Sequence, residues 1–270
     1  MSDLKYFPMV SVIIPTLNSE KELSLCLKSL KNQSYDNIEI IIADGYSTDR
    51  TVDIGVQYGA KIYQKKCSFT QRRNYGATKA NGDIYYHMDS DMILPKNLIK
   101  TAVKKINTGY DGVIIPQRFA GKGFFGKCKE LEIISSTDSP ALKICRFMKK
   151  KVFFKINGYD EQLEAGEDWD ITQRIENKYN LGKIHTYIIH GWGSYNISKW
   201  IRKCYKYGKS IYRYKKKHPT LTKYQWGPAR LISFNWRLLL KYPHYALGIL
   251  FIKNLEFISG LLGSLNSRRV

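Results

Sequence analysis

Acidic residues all but vanish from the last third of this 270-residue chain. After position 190 Glu256 stands alone against 16 Lys and Arg, whereas residues 1–190 carry 22 acidic and 28 basic side chains. Residues 191–270 therefore hold +15 of the net charge of +21, and a block of this kind draws polyanions: nucleic acid, an anionic bilayer or phosphate-bearing substrates. Cysteine is scarce and unpatterned. Cys26, Cys67, Cys128, Cys145 and Cys204 are odd in number, far apart and never in C-x-x-C, which argues against a disulfide framework or a structural zinc site and predicts a reducing compartment. No apolar stretch of signal-peptide length opens the chain, so a cytoplasmic location is expected. With 43% apolar and 25% charged residues and only 8 Pro and 20 Gly, the composition excludes a collagen-like, disordered or fully membrane-embedded chain. Long hydrophobic runs are missing too: the longest near the end, 245–252, is broken by Lys253, Asn254 and Glu256, well short of the roughly 20 residues a bilayer span needs.

What is present begins as alternating strands and helices. Residues 10–15 (VSVIIP) and 38–43 (IEIIIA) are short, β-branched apolar runs that read as buried parallel strands. Ser19 and Glu22 have the spacing of a capping box before a helix with Leu23, Cys26, Leu27 and Leu30 on one face. The pattern predicts further strands at 61–63, 84–88 and 183–189, and helices at 69–79, 97–106 and 169–177. Such alternation implies crossover connections and an open, mostly parallel α/β sheet, with ligands beyond the carboxyl ends of its strands. Three polar clusters fall there: 16–18, 44–49 and 89–91.

Asp89-Ser90-Asp91 follows the strand IYYHM. In extended backbone, residues i and i+2 point to one side, so two hard oxygen donors can share Mg2+ or Mn2+ while leaving positions open for phosphate oxygens. A second acidic group, Gly166-Glu167-Asp168-Trp169-Asp170, opens a helix, where carboxylates are favoured by the macrodipole and a carboxylate beside a cation can accept a proton from a hydroxyl. His190 ends an apolar strand, whereas His87 lies inside one and reads as packing. Together the acidic groups predict reaction at a phosphate ester or an activated sugar.

Five segments in order, over about residues 9–195, resemble the inverting family 2 glycosyltransferases of GT-A fold. VSVIIPTLN is similar to that family's opening strand and nucleotide-binding turn, ADGYSTDRT to its D-G-x-S-T-D segment, and QRRNYGATKANGD to its R-N-x-G-x-x-x-A-x-G-D segment. HMDSDM resembles the D-x-D, and INGYDEQLEAGEDWDITQRI the G-[FY]-D-E…E-D-x-D-x-x-x-R segment. The resemblance implies a GT-A, Rossmann-like open mixed sheet flanked by helices. It also implies that Pro15, Thr16, Leu17, Asn18, Glu20, Asp44, Ser47, Arg73, Asp89 and Ser90 border the nucleotide sugar, with Asp44 facing the base, Arg73 near base or diphosphate, and Asp89 near the ribose. Asp91, with Asp89 and His190, would bind Mn2+ or Mg2+. Asp168 would be the catalytic base, with Glu167 beside it. Gly45 departs from the family, which frequently has Asp there, so the motif leaves the donor's base open.

These expectations define a GT-A catalytic domain at 1–190 and a basic, aromatic-rich helical region at 191–270. In the latter, WIRKCYKYGKSIYRYKKKH interleaves rings with cations, and moderately apolar stretches follow at 226–240 and 244–262. Rings at headgroup depth and basic side chains against anionic lipid suit a membrane interface, which predicts helices lying on the inner face of the cell membrane, or in a bolder form a re-entrant hairpin. The expected activity is transfer of a sugar from a nucleotide-diphosphate donor to a lipid-linked or envelope-glycan acceptor. Two alternatives use the same features: a nucleotidyltransferase, which would not need the Gly-Tyr-Asp-Glu and Glu-Asp segments, and a nucleic-acid-binding module built on the basic tail. No recognisable nucleic-acid-binding motif accompanies the tail, so no nucleic acid partner is expected.

Overall fold

A computed structural model describes residues 7–137, 139–226, 230 and 234–267. In chain order the elements are β1 (Val10–Thr16), α1 (Glu20–Lys31), β2 (Ile38–Asp44), α2 (Thr51–Gln57), β3 (Lys61–Gln64), α3 (Phe69–Thr78), β4 (Ile84–His87), β5 (Met92–Ile93), α4 (Leu98–Asn107) and β6 (Gly112–Ile114). There follow β7 (Gln117–Lys122), α5 (Gly123–Ser136), β8 (Cys145–Lys149), α6 (Lys150–Lys155), α7 (Glu167–Glu176), β9 (Leu181–Lys183), β10 (Ile188–Ser194), α8 (Ile197–Lys217), α9 (Pro219–Gln225), α10 (Trp236–Lys241) and α11 (Pro243–Ser267). They form two compact units. The first gathers residues up to 116 with 144–161 and 167–190; the second gathers 117–143, 162–166 and everything from 191.

In the first unit a seven-stranded sheet runs β3-β2-β1-β4-β8-β6-β9. Its parallel half follows directly from sequence. Val10 pairs with Ile38 and Thr16 with Asp44 along β1 and β2, and Val10 pairs with Ile84 toward β4. Successive side chains then face opposite sides of the pleat. Val12, Ile14, Ile40, Ile42 and Tyr86 enter one core with Leu23, Leu27 and Leu98, while Ile13, Ile41 and Tyr85 enter the other with Ala77, Phe153, Ile171 and Ile175. Burial on both faces explains why these strands read as unbroken apolar runs. The chain order reverses between β1 and β4, the kind of point beyond which α/β sheets bind ligands.

The sheet is mixed, because β8 runs antiparallel to both β4 and β6. Three local expectations are corrected. Ser19 makes no side-chain cap to α1; its backbone N–H donates to Thr51 Oγ1 (2.7 Å), and the reciprocal capping box forms at Ser68 and Gln71, at the start of α3. The strand anticipated at 183–189 is two strands, β9 and β10: β9 pairs parallel to β6, and β10 turns to pair antiparallel with β5. The interruption of the apolar run at Lys253 does not end α11.

The reason for that last difference lies in the second unit. Glu132 of α5, 1% exposed, receives Lys129 (2.9 Å), Arg230 (3.1 Å) and Lys253 (2.5 Å), and Glu256 pairs with Lys253 while accepting a hydrogen bond from Trp200 Nε1 (2.6 Å). The charged side chains of α11 thus have buried partners, and the helix continues past them. Helix α11 packs closely on α8: a Cβ on Gly208 would lie 2.0 Å from the carbonyl oxygen of Gly260, so position 208 admits only glycine. By length and composition Pro243–Asn266 is able to cross a membrane. Of the predicted apolar stretch 226–240, positions 227–229 and 231–233 lie outside the described residues.

Candidate active site

Two groups of polar side chains stand at the carboxyl ends of β1, β2 and β4. In the first, Asp44 is fully buried at the end of β2 and accepts hydrogen bonds from Thr16 Oγ1 (2.8 Å), the Ser47 backbone N–H (2.8 Å), Ser47 Oγ and Gln64 Nε2 (3.2 Å). Burial pushes its carboxyl up, but the bonds from Ser47, Thr16 and Gln64 more than offset this and leave it below the usual carboxylate range. Asn18 adopts the left-handed region (φ 51°), donates its N–H to Ser47 Oγ (2.8 Å) and accepts from the Thr48 N–H (2.9 Å). Glu20 N–H reaches Asp49 (3.1 Å). Pro15 is buried within β1, and Leu17 is exposed in the turn after it. Thr16, Asn18, Asp44 and Ser47 therefore form one interlocked turn system, and Glu20 joins the adjoining turn through Asp49 and the Arg50 N–H. A Cβ on Gly45 would lie 2.6 Å from Arg72 Nη1, so the volume a second aspartate would need is taken by the Arg72 guanidinium.

The second group is a closed ring of charge. Arg73, with no exposed surface, places Nη2 2.6 Å from Asp89 Oδ1 and Nη1 2.5 Å from Asp168 Oδ1. Arg146, from β8, places Nη1 2.8 Å from Asp89 Oδ2 and donates Nη2 to Asp168 Oδ2. Each carboxylate oxygen takes one guanidinium nitrogen. Burial pushes the Asp168 carboxyl up, yet Arg146 and Arg73 together hold it below the usual range; Asp89 is held well below it in the same way. Glu167 differs. It touches Arg73 only at 3.4 Å, and burial together with the neighbouring Asp168 charge pushes it up to about 7. Phe69 and Tyr159 lie over the Arg73 guanidinium at 4.7 and 5.0 Å.

Beside the ring, His190 Nε2 is 3.3 Å from both Asp89 Oδ2 and Asp91 Oδ1. The β5–β10 pairing brings this about by setting His190 opposite Met92. One ligand atom from each of Asp89, Asp91 and His190 lies within 4.8 Å of the others. Two hard oxygen donors and an imidazole suit Mn2+ or Mg2+ and leave positions open for a substrate's phosphate oxygens. Ser90 is half-buried between the two aspartates. His87 behaves as packing: burial pushes it down to about 3, so it is neutral, and it stacks on Phe153 at 4.9 Å.

Arg73, Asp89, Asp91, Glu167, Asp168 and His190, spread over more than a hundred residues of sequence, are brought together in one unit. Arg146 was missed by sequence reasoning. Its only signal is an arginine set among apolar strand residues, C-R-F-M.

Residues 11–162 match the family model "Glycosyl transferase family 2". The chain belongs to that family. An uncharacterized glycosyltransferase of Rickettsia typhi is 31% identical over 189 residues, covering 63% of this chain and 59% of the relative. The GalNAc(5)-diNAcBac-PP-undecaprenol beta-1,3-glucosyltransferase of Campylobacter jejuni is 28% identical over 134 residues, 43% of each chain. The chain spans 26–59% of the length of the first curated relatives it matches. Among solved structures, the mannosyltransferase PcManGT of Pyrobaculum calidifontis in complex with GDP-Man and Mn2+ superposes with a TM-score of 0.65 at 15% identity, covering 97% of this chain and 88% of that one. The fold is the GT-A fold expected from the sequence.

Proposed function

We propose that this chain is a metal-dependent, inverting glycosyltransferase that moves a sugar from a nucleotide-diphosphate donor to a hydroxyl of a lipid-linked or envelope-glycan acceptor at the cytoplasmic membrane face. The observation that carries the reading is the convergence of a divalent-cation donor set, Asp89, Asp91 and His190, with a second carboxylate pair, Glu167 and Asp168. Asp91 and His190, with Asp89, would hold Mn2+ or Mg2+, which supplies charge neutralisation for the departing diphosphate. The turn system of Thr16, Asn18, Asp44 and Ser47 borders the nucleoside. Asp168, held below the usual carboxylate range by Arg146 and Arg73 despite its burial, accepts the acceptor's hydroxyl proton as its oxygen attacks the anomeric carbon opposite the leaving group, and that geometry inverts the centre.

The membrane part rests on the second unit. Helix α11 exposes Leu247, Leu250, Phe251, Phe257, Ile258, Leu261, Leu262 and Leu265, and α8 carries a run of Lys and Arg. A single surface helix with that much apolar area, in a polycationic region, fits docking on anionic lipid. The Campylobacter relative, whose name gives an undecaprenol-linked substrate, and PcManGT, solved with Mn2+, favour the same reading. The experiment is an assay of nucleoside diphosphate release and sugar transfer to polyprenyl-diphosphate-linked acceptors, with Mn2+, Mg2+ or a chelator. Metal-dependent transfer with inverted anomeric configuration is expected; release that persists in chelator, or a retained configuration, overturns it.

A further inference from the structure

The charge ring contains one member that no motif marks. Arg146 lies on β8, one residue from the register pair Tyr86–Phe147, and so reaches past the end of β4. It is 6% exposed, and among the described residues its Nε has no hydrogen-bond partner. A guanidinium buried only for an ion pair satisfies itself best by a parallel, two-pronged grip on a single carboxylate. Arg146 instead divides its two Nη groups between carboxylates from different elements, Asp89 after β4 (2.8 Å) and Asp168 at the start of α7. Arg73 joins the same two carboxylates through their other oxygens, with the rings of Phe69 and Tyr159 at 4.7 and 5.0 Å from its guanidinium. The two spans tie Asp168 to Asp89 through both oxygens of each carboxylate.

In a displacement where donor and proton acceptor must lie on opposite sides of one carbon, that separation is what alignment depends on. We propose that Arg146 is a positioning residue of the transfer reaction, fixing Asp168 against Asp89 so that the attacking hydroxyl lines up with the bound donor. The inference rests on the glycosyltransferase reading and adds a residue to it. Lysine cannot take its place: it keeps the charge but is a point donor, without the planar fork that spans two carboxylates.

The test compares wild type with Arg146→Lys and Arg146→Gln. Release of nucleoside diphosphate is followed with Mn2+ and a polyprenyl-diphosphate-linked acceptor from whichever of UDP-GlcNAc, UDP-glucose and GDP-mannose the wild type uses, and the thermal shift produced by the matching nucleoside diphosphate reports folding and donor binding. Both variants are expected to keep that shift and a donor KM within about threefold of wild type, while kcat falls about 10^2-fold, the scale of a small misplacement of reacting groups. Wild-type kcat in Arg146→Lys overturns the proposal. So does a raised KM at unchanged kcat, which makes Arg146 a donor-binding group, or loss of the shift in both variants, which makes it a support of the fold. If the wild type releases nucleoside diphosphate from none of the three donors and none of their diphosphates shifts its melting, the glycosyltransferase reading itself falls, and the proposal with it.

Discussion

Asp89, after β4, and Asp168, at the start of α7, share both of their guanidinium partners: each is bound by Arg73 and by Arg146, one nitrogen to each oxygen. Removing one carboxylate therefore leaves two buried cations under-compensated. Asp168→Asn is expected to destabilise the chain by about 3–5 kcal/mol, the usual cost of breaking a buried pair from one side. It should also lower kcat by about 10^2- to 10^4-fold, the usual contribution of a general base. Urea unfolding and steady-state kinetics on the same preparation check both figures, and a variant with full transfer rules Asp168 out as the base.

Glu167 gives a pH signature of opposite sign. Its carboxyl is raised from the ordinary range to about 7, so the folded state binds its proton more tightly than the unfolded chain. The stabilisation this brings is complete below about pH 4.5 and is lost as pH rises through 7; above that, keeping Glu167 ionised costs about 3 kcal/mol at 1.36 kcal/mol per pH unit. Glu167→Gln, which cannot ionise, should melt higher than wild type at pH 8 and together with it at pH 4. Equal melting at both pH values would show that Glu167 titrates normally.

The parallel half of the sheet was legible because β1, β2 and β4 are buried on both faces and carry that burial as unbroken apolar runs. β6 and β9, three residues each, are too short to show a period, and β8 is disguised by Arg146 and Lys149 within a strand. A buried arginine makes sense only once Asp89 and Asp168 stand beside it, and that is tertiary information. The acidic motifs were visible from their spacing, as were the turn residues Asn18 and Asp44. What no spacing encodes is that Asp168 is pinned ionised while its neighbour Glu167 is driven the other way. Adjacent residues at the start of one helix differ there because Arg146 and Arg73 both pair closely with Asp168, whereas Glu167 is buried beside the Asp168 charge and touches Arg73 only at 3.4 Å.

The cation site predicts a link between metal and nucleotide. With Asp91 and His190 as ligands, a nucleoside diphosphate should raise the melting temperature much more in the presence of Mn2+ than in EDTA. At a ligand concentration 100 times Kd the gain is about 2.7 kcal/mol. Asp91→Asn and His190→Ala should each shrink the Mn2+-dependent part while leaving the melting of the free protein within about 0.5 kcal/mol, because Asp91 and His190 sit at the partly exposed edge of the group. Undiminished metal-dependent stabilisation in both variants would place the ion elsewhere.

Membrane docking by the second unit makes separate predictions for its apolar and its basic parts. Phe251 and Ile258 are each more than half exposed on α11 and lie seven residues apart, on one face of the helix. Burying either in lipid is worth about 1.5–3 kcal/mol, so Phe251→Asp with Ile258→Asp should abolish co-sedimentation with phosphatidylglycerol vesicles at every salt concentration. Lys206 and Lys209, exposed on α8, contribute instead through the surface potential, about 1 kcal/mol each, within a screening length that salt shortens. Lys206→Glu with Lys209→Glu should therefore weaken sedimentation tenfold or more at low salt and lose most of that effect by 0.5 M NaCl. If both double variants sediment like wild type, α11 and α8 are not the docking elements; if neither they nor the wild type bind vesicles, while transfer to a water-soluble acceptor proceeds, the acceptor need not be embedded in a membrane.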